Sequence, residues 1–169
     1  MEPRHVSSQA ERASSPASTV PIPEPTGPAP VRVEMLSQPR FLSGARDLVS
    51  AVSKRCGFDD AACGQMALAV DEALCNVIRH GYDRRPDGKI WISLWPIEES
   101  GKEPTGIKIV IEDEARQVEP EKIKSRDLDD IRPGGLGVHI IQQIMSRSYF
   151  EKREKVGMRL VMLKMHNNR

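Results

Sequence analysis

The sequence is short of cysteine and almost without net charge, and each shortage excludes a class of protein. Its three cysteines, at positions 56, 63 and 75, are odd in number and lack the C-x-x-C spacing of thiolate zinc sites. They argue against a disulfide framework and are typical of a chain in a reducing cytoplasm. The 25 basic and 24 acidic residues leave a net charge of +1, so electrostatics gives no reason to expect a nucleic-acid partner or an anionic membrane surface.

Long hydrophobic segments are also missing. No apolar run approaches the 18 residues that a membrane-spanning helix needs. The first residues, MEPRHVSSQAERASS, lack the apolar stretch of a secretory signal peptide. We therefore expect a cytoplasmic protein with no membrane association and no nucleic-acid partner.

The first 30 residues differ in composition from the rest. They contain seven of the 13 prolines and five serines, and the stretch PIPEPTGPAP favours neither a helix nor a strand. They carry too few large apolar side chains to offset the entropy lost on ordering. We therefore predict a disordered tail over residues 1–30 and one compact domain over residues 31–169.

The remainder of the chain alternates between two hydrophobic periods. Period-two alternation predicts strands over residues 31–35, 90–95, 107–112, 148–155 and 158–165, with Pro96 limiting the second strand. Helical spacing predicts helices over residues 41–56, 59–80 and 136–145. This order predicts a two-layer α/β sandwich of the α+β kind, with helices on one face of a mixed, mostly antiparallel sheet. Polar residues 114–133 are predicted to form a long loop, as functional lids and disordered segments do.

Two polar residues share one face of the second predicted helix. Glu72 and Asn76 are four residues apart, so they lie one turn from each other and away from the apolar stripe. A carboxylate can accept a proton, and an amide oxygen can bind a hard cation such as Mg²⁺. A solvated polar face is the alternative interpretation, and the spacing does not decide between the two.

Two further segments offer groups that could bind a ligand. Asp113 directly follows the third predicted strand, where a carboxylate either caps a loop or accepts a hydrogen bond from an exocyclic amine. The stretch PGGLGV, residues 133–138, opens the third predicted helix, and its glycines allow backbone N–H groups to approach an anion. A flexible hinge is the alternative, because neither the P-loop pattern nor G-x-G-x-x-G is present.

Taken in this order, three segments resemble one family. DEALCNVIRHGY (71–82), IEDEARQVEP (111–120) and RPGGLGVHII (132–141) resemble the GHKL, or Bergerat-fold, ATPases. The specific similarity is to the anti-sigma-factor serine/threonine kinases of bacterial partner-switching systems, and it covers residues 31–169. It implies the Bergerat ATPase fold, with ATP held between the helices and the sheet under a mobile lid.

The resemblance implies a role for each matching residue. Glu72 would be the catalytic general base, Asn76 would bind the Mg²⁺ that bridges the phosphates, and Asp113 would accept the adenine amino group. Arg132 would clamp phosphate. Three residues at the start of the third helix would lie beside the phosphates: Gly135, Leu136 and Gly137.

The sequence departs from the family pattern at two positions. The family usually has glycine two residues after the aspartate, where this chain has Ala115. It often has Gly-Thr in the last strand, where this chain has Gly157 followed by Met158. Both departures concern adenine recognition, and neither touches the catalytic residues, so they predict altered ATP affinity.

The resemblance predicts an ATP- and Mg²⁺-dependent serine/threonine-protein kinase that acts as an anti-sigma factor. It would phosphorylate a STAS-domain antagonist, have a sigma factor or another regulator as its client, and form a homodimer. The alternative is a catalytically weak nucleotide-binding module that regulates its client by binding alone. Glu72 favours the kinase, whereas Ala115 and Met158 favour the binding module.

Overall fold

The computed structural model describes residue 25 and residues 27–98, 103–123 and 136–166. Most of the predicted tail, residues 1–30, lies outside these ranges, as does the second half of the predicted long loop. Two predicted site residues, Arg132 and Gly135, also lie outside them.

Five strands form one antiparallel sheet. They are β1 (Val31–Leu36), β2 (Lys89–Ile97), β3 (Gly106–Asp113), β4 (Arg147–Lys152) and β5 (Met158–Met165). Their order across the sheet is β1-β2-β3-β5-β4, and each pairing is antiparallel. The predicted strands are therefore confirmed, and the sheet is antiparallel throughout the residues that the structure describes.

Three α-helices pack on one face of this sheet: α1 (Leu42–Arg55), α2 (Asp60–Asn76) and α3 (Leu136–Ile144). Gly57 follows the end of α1 with a φ of +85°, which glycine adopts without strain. Asp59 begins α2, because its carboxylate accepts a hydrogen bond from the Ala62 N–H at 2.7 Å. Helices and sheet together form the two-layer α/β sandwich that the sequence predicts.

The core fills the space between the helices and the sheet. Alternate residues of β2 and β3 point into it and are at most 1% exposed: Ile90, Ile92, Leu94, Ile107, Ile109 and Ile111. From α2, Met66, Val70 and Leu74 are fully buried in the same cluster. Each such side chain stabilises the fold by about 1.5–3 kcal/mol.

The length and apolar character of α2 reflect its position in the core. Together with the π-helical turn that follows it, this helix runs for 22 residues, Asp60–Gly81, and by length and composition alone it would be able to cross a membrane. Seven of its residues are buried inside the domain: Cys63, Met66, Ala67, Ala69, Val70, Ala73 and Leu74. Packing against α1, α3 and the sheet therefore accounts for its composition.

The chain leaves α2 through the π-helical turn Val77–Gly81, which ends at a buried tyrosine. The Tyr82 hydroxyl donates a hydrogen bond to the Lys89 carbonyl oxygen at 2.5 Å and accepts one from the Glu114 N–H at 2.8 Å. Gly88 lies against the aromatic ring, where a Cβ would overlap the ring carbons. Through these hydrogen bonds, Tyr82 links the end of the helix to the start of β2 and to the residue after β3.

The expectation that Pro96 limits the second strand is wrong. β2 continues to Ile97, and Pro96 pairs with Ile107 of β3. The Ile97 carbonyl oxygen accepts a hydrogen bond from the Thr105 N–H at 2.7 Å, so the backbone of Ile97 faces β3 and the Pro96 nitrogen faces the opposite side. On that side β1 pairs with β2 only as far as Leu94, so no ladder hydrogen bond is lost at the proline.

Gly157, between β4 and β5, has no room for a side chain. Its φ is +89°, and a Cβ there would overlap the carbonyl oxygen of Asp113. Because a left-handed backbone alone costs a non-glycine residue roughly 1–2 kcal/mol, we expect Gly157→Ala to destabilise the protein by more than about 2 kcal/mol. Urea unfolding followed by circular dichroism measures this loss.

Gly64→Ala is the matched control. Gly64 is exposed within α2, and no atom lies within 4 Å of a Cβ built there. Alanine should therefore stabilise the helix by about 0.5–1 kcal/mol. A Gly157→Ala variant as stable as the wild type would contradict the close approach of this turn to Asp113.

Candidate functional site

A cavity of about 250 Å³ opens between α2, β3, β5 and the start of α3. Its wall is mainly apolar and is interrupted by a few polar side chains. The lining residues are Ala73, Asn76, Val77, His80, Gly81, Ile111, Asp113, Ala115, Arg116, Val118, Ile123, Gly137, Val138, Phe150, Met158 and Leu160. Three residues singled out in the sequence, Asn76, Asp113 and Gly137, thus share one cavity.

Asp113 ends β3 and lies in the cavity wall with 4% of its surface exposed. Its Oδ1 accepts hydrogen bonds from the N–H groups of Ala115 at 2.9 Å and Met158 at 3.1 Å. Burial raises the pKa of this carboxyl group, and the two hydrogen bonds oppose the rise only in part. Among the described residues, both hydrogen bonds to this carboxylate end on Oδ1, which leaves Oδ2 to accept from a ligand.

The two residues that depart from the family pattern line the cavity beside Asp113. The methyl group of Ala115 packs against Gly81, where a Cβ would come within 2.9 Å of it. Gly81 therefore makes room for the additional methyl group. Met158 donates its N–H to Asp113, so its side chain changes the cavity wall while the backbone hydrogen bond is kept.

Glu72 and Asn76 meet the start of α3 at Gly137. A Cβ on Gly137 would lie 2.9 Å from Oε2 of Glu72 and 3.0 Å from Nδ2 of Asn76, so a larger residue here would displace the polar ends of both side chains. The i, i+4 spacing has brought both side chains to one face of α2. Asn76 lines the cavity itself, and Glu72 lies one turn before it.

One further predicted site residue, Leu136, lies at the start of α3 as the structure describes it. Leu136 is its first residue and is 52% exposed, whereas the phosphate contacts of Arg132 and Gly135 stay predictions because the structure does not describe those residues. Within the described ranges, no three His, Cys, Asp or Glu side chains cluster as a metal site. Mg²⁺ often takes one or two protein ligands and completes its coordination with phosphate and water, so the Asn76 amide oxygen fits this ion.

One contact at this site is not indicated by the sequence. Arg153, between β4 and β5, donates a hydrogen bond from Nη1 to the carbonyl oxygen of Asp113 at 2.7 Å. The two residues are 40 positions apart, and no local pattern marks an arginine for this contact. The basic residues of the hairpin, at positions 152, 153 and 155, are the signal that the sequence offers, and they do not single out position 153.

Replacing Asp113 by asparagine tests the cost of its burial. Burial raises the carboxyl pKa in the folded state, so the stability that this group contributes is present below its unfolded pKa and is lost as the pH rises through the folded pKa. Asparagine avoids that loss and keeps an Oδ1 for both N–H donors. We expect Asp113→Asn to be more stable than the wild type at about pH 7, and this advantage to shrink toward about pH 4.

Asp60→Asn should behave in the opposite way. The hydrogen bond from the Lys54 ammonium, at 2.6 Å, lowers the pKa of the exposed Asp60 carboxyl, so its small contribution to stability is present at neutral pH and lost on acidification. Thermal unfolding of the three proteins across this pH range makes the comparison. An Asp113→Asn variant less stable than the wild type at neutral pH would show that the buried carboxylate is stabilising.

Comparison with known proteins gives matches that cover most of the chain. The sequence profile of the family described as "Histidine kinase-like ATPase domain" matches residues 35–164. The "Serine-protein kinase RsbW" of Listeria monocytogenes serotype 4a (strain HCC23) is 24% identical over 144 residues, which cover 82% of this chain and 88% of the relative. The protein of the same name from Oceanobacillus iheyensis is 27% identical over 123 residues, 68% of this chain and 74% of the relative. The "Anti-sigma F factor" of Clostridium novyi (strain NT) is 30% identical over 138 residues, 79% of this chain and 92% of the relative.

The profile match begins in β1 and ends in β5, so it includes the three α-helices and every lining residue of the cavity. The relatives align over most of their own length, which makes the similarity one of whole domains. On both grounds, the chain belongs to the histidine kinase-like ATPase domain family.

Proposed function

We propose that this protein is an ATP- and Mg²⁺-dependent serine/threonine-protein kinase that acts as an anti-sigma factor in a partner switch. The observation that carries the proposal is that the buried carboxylate of Asp113 shares one cavity with Asn76 and Gly137, beside Glu72. The relatives named as a serine-protein kinase and as an anti-sigma F factor support the same function. The substrate is a serine or threonine hydroxyl of a STAS-domain antagonist.

The Asp113 end of the cavity suits an adenine ring. The free oxygen of the carboxylate can accept a hydrogen bond from the exocyclic amino group of adenine, whereas guanine has an oxygen acceptor at the same ring position and would be repelled. The neighbouring wall is apolar, with Ile111, Met158 and Leu160 buried around the carboxylate. A flat heterocycle with one amino group fits this lining.

The Gly137 end suits a triphosphate. Gly137 lies in the first turn of α3 that the structure describes, and the N–H groups and the positive dipole end at a helix N-terminus favour anions. The Asn76 amide lies beside Gly137, and its oxygen would bind Mg²⁺ at this end. When bound, ATP supplies the phosphoryl group, and Mg²⁺ neutralises part of the negative charge on the phosphates.

Glu72 is the candidate general base. It is partly buried, and its Oε2 lies beside Gly137 together with the Asn76 amide. Its carboxylate would accept the proton of the substrate hydroxyl as the hydroxyl oxygen bonds to the γ-phosphorus and the bond from that phosphorus to the bridging oxygen breaks, so that ADP leaves. The preceding residue, Asp71, instead pairs with Arg46 at 3.2 Å.

Glu72→Gln removes the proposed base and keeps the size of the side chain. We expect phosphoryl transfer from labelled ATP to a STAS partner to fall by about 10²–10⁴-fold, while calorimetry still detects Mg²⁺–ATP binding. Asp71→Asn is the matched control and should keep wild-type transfer, because its carboxylate contacts Arg46. Wild-type phosphorylation by Glu72→Gln would show that another group accepts the proton.

A binding module is the second candidate function, and Ala115 and Met158 favour it. Both residues line the cavity at the end that would contact adenine. If they weaken nucleotide binding strongly, the protein regulates its client by binding alone. Transfer of phosphate to a STAS partner supports the kinase, whereas client binding without any transfer supports the module.

The proposed partners are a STAS-domain antagonist and a sigma factor or another regulatory client. A homodimer is the proposed assembly: β1 is an edge strand of the sheet, and Val33 and Leu36 are exposed on it, so this edge is available for pairing. The cytoplasm is the proposed compartment, and the free thiols of the three cysteines agree with it: Cys56, Cys63 and Cys75.

Phosphorylation of the antagonist should weaken its binding to the kinase. A phosphate adds about −1.5 to −2 units of charge beside Glu72, so like-charge repulsion favours release of the product. We expect the unmodified STAS partner to bind about tenfold or more tightly, by about 1.4 kcal/mol, than a variant with aspartate at the acceptor serine. Titrations in Mg²⁺–ADP measure both affinities.

Asparagine at the acceptor serine is the matched control, because it has the size of aspartate without the charge. This variant should bind nearly as tightly as the unmodified partner. Equal affinities for all three forms would contradict a partner switch driven by charge.

A further inference from the structure

Arg153 lies on the face of the sheet opposite the helices. Its guanidinium is 5.1 Å from the centroid of the Trp91 ring, and its Nε is 3.6 Å from Oε1 of Glu112. Trp91 and Glu112 are partners in the β2–β3 pairing, and alternation puts their side chains on the side away from the core. From this face, Arg153 reaches the carbonyl oxygen of Asp113.

The Asp113 carbonyl oxygen accepts from Arg153 at the point where the ladder between β3 and β5 ends, while the ladder between β2 and β3 still includes Asp113. The β3–β5 pairing stops at Glu112 and Arg159. The next N–H along β5, that of Met158, bonds to the Asp113 side chain instead of its carbonyl oxygen. The guanidinium therefore occupies the place of the next ladder hydrogen bond.

A second arginine holds this arrangement from β1. Arg32 donates from Nη1 to Ser93 at 3.1 Å, and the same nitrogen is 3.3 Å from Oε2 of Glu112. Its guanidinium also lies 6.0 Å from the Trp91 ring centroid. Glu112 is thus shared by two arginines, and this network limits the directions in which Arg153 can point.

Asp113 is consequently held from two sides. Backbone N–H groups hold its Oδ1 on the cavity side, and Arg153 holds its carbonyl oxygen from the face of the sheet opposite the helices. Asp113 keeps its pairing with Ile90 of β2, whereas its pairing with β5 has ended, so Arg153 is the group that holds its carbonyl oxygen on the β5 side.

We propose that Arg153 is a positioning residue for nucleotide recognition, which holds Asp113 in the orientation that selects an amino-bearing purine. This inference rests on the proposed function, because it presupposes that Asp113 binds the base. Arg153 does not line the cavity, so it acts through Asp113. Its charge also opposes the effect of burial, which raises the Asp113 pKa.

The preference for ATP over purine riboside triphosphate, which lacks the 6-amino group, tests this role. Calorimetry with Mg²⁺ gives the Kd of each nucleotide for the wild type, Arg153→Ala, Arg153→Lys and Asp113→Asn. We expect Arg153→Ala to weaken ATP binding by about tenfold and to leave the affinity for the purine analogue nearly unchanged. Arg153→Lys should keep part of the preference, because an ammonium can donate to the carbonyl oxygen but lacks the arginine fork.

Two further variants separate positioning from general stability. The double variant Arg153→Ala/Asp113→Asn should show the same preference as Asp113→Asn alone, since Arg153 acts through that side chain. Arg159→Ala is the matched control, because Arg159 lies on the same face and pairs with Glu151 at 2.7 Å. It should keep the wild-type preference.

The possible outcomes distinguish this inference from the proposed function. If Asp113→Asn loses the preference for ATP and Arg153→Ala keeps it, the positioning role is overturned and the proposed function stands. If the wild type does not prefer ATP, or Asp113→Asn does not change the preference, Asp113 does not bind the base and the inference falls with it. If Arg153→Ala has no thermal unfolding transition, Arg153→Lys replaces it. A wild-type preference for ATP in Arg153→Lys then overturns the positioning role, and a reduced preference that disappears in Arg153→Lys/Asp113→Asn supports it.

Discussion

The packing of α2 against the inner face of the sheet is the constraint on which the rest of the structure depends. Val70 and Leu74 are fully buried in one cluster with Ile92 and Ile109 of the central strands. Because this side of the helix belongs to the core, the adjacent side, which carries Glu72 and Asn76, is turned toward α3. The geometry at the proposed phosphate end is therefore a consequence of core packing.

The opposite end of the cavity is determined by a buried carboxylate. Asp113 is a carboxylate in a mainly apolar wall, where an apolar residue would be less costly to bury. Three donors offset part of this cost. The N–H groups of Ala115 and Met158 donate to the side chain of Asp113, and Arg153 donates to its carbonyl oxygen. Asp113 is thus a buried acid with a raised pKa that faces a cavity and is held in place by hydrogen bonds. This combination is typical of a functional residue.

The two departures from the family pattern do not remove the hydrogen bonds that hold Asp113. Ala115 fits because Gly81, across the cavity wall, has no side chain. The residue at position 158 contributes its backbone N–H to Asp113, which any residue except proline could do. The changes are therefore confined to the apolar lining, where they alter the shape of the base end without removing a hydrogen bond to the carboxylate.

The sequence by itself determined the strands, the helices and the common face of Glu72 and Asn76, because each depends on residues only a few positions apart. It also marked Asp113, although the spacing did not show that this residue would share a cavity with Gly137. The tertiary structure decided that Pro96 stays within its strand, because the outcome depends on where β1 begins. It also decided the contact between Arg153 and Asp113, because local periodicity carries no information about which residues 40 positions apart meet when the sheet forms.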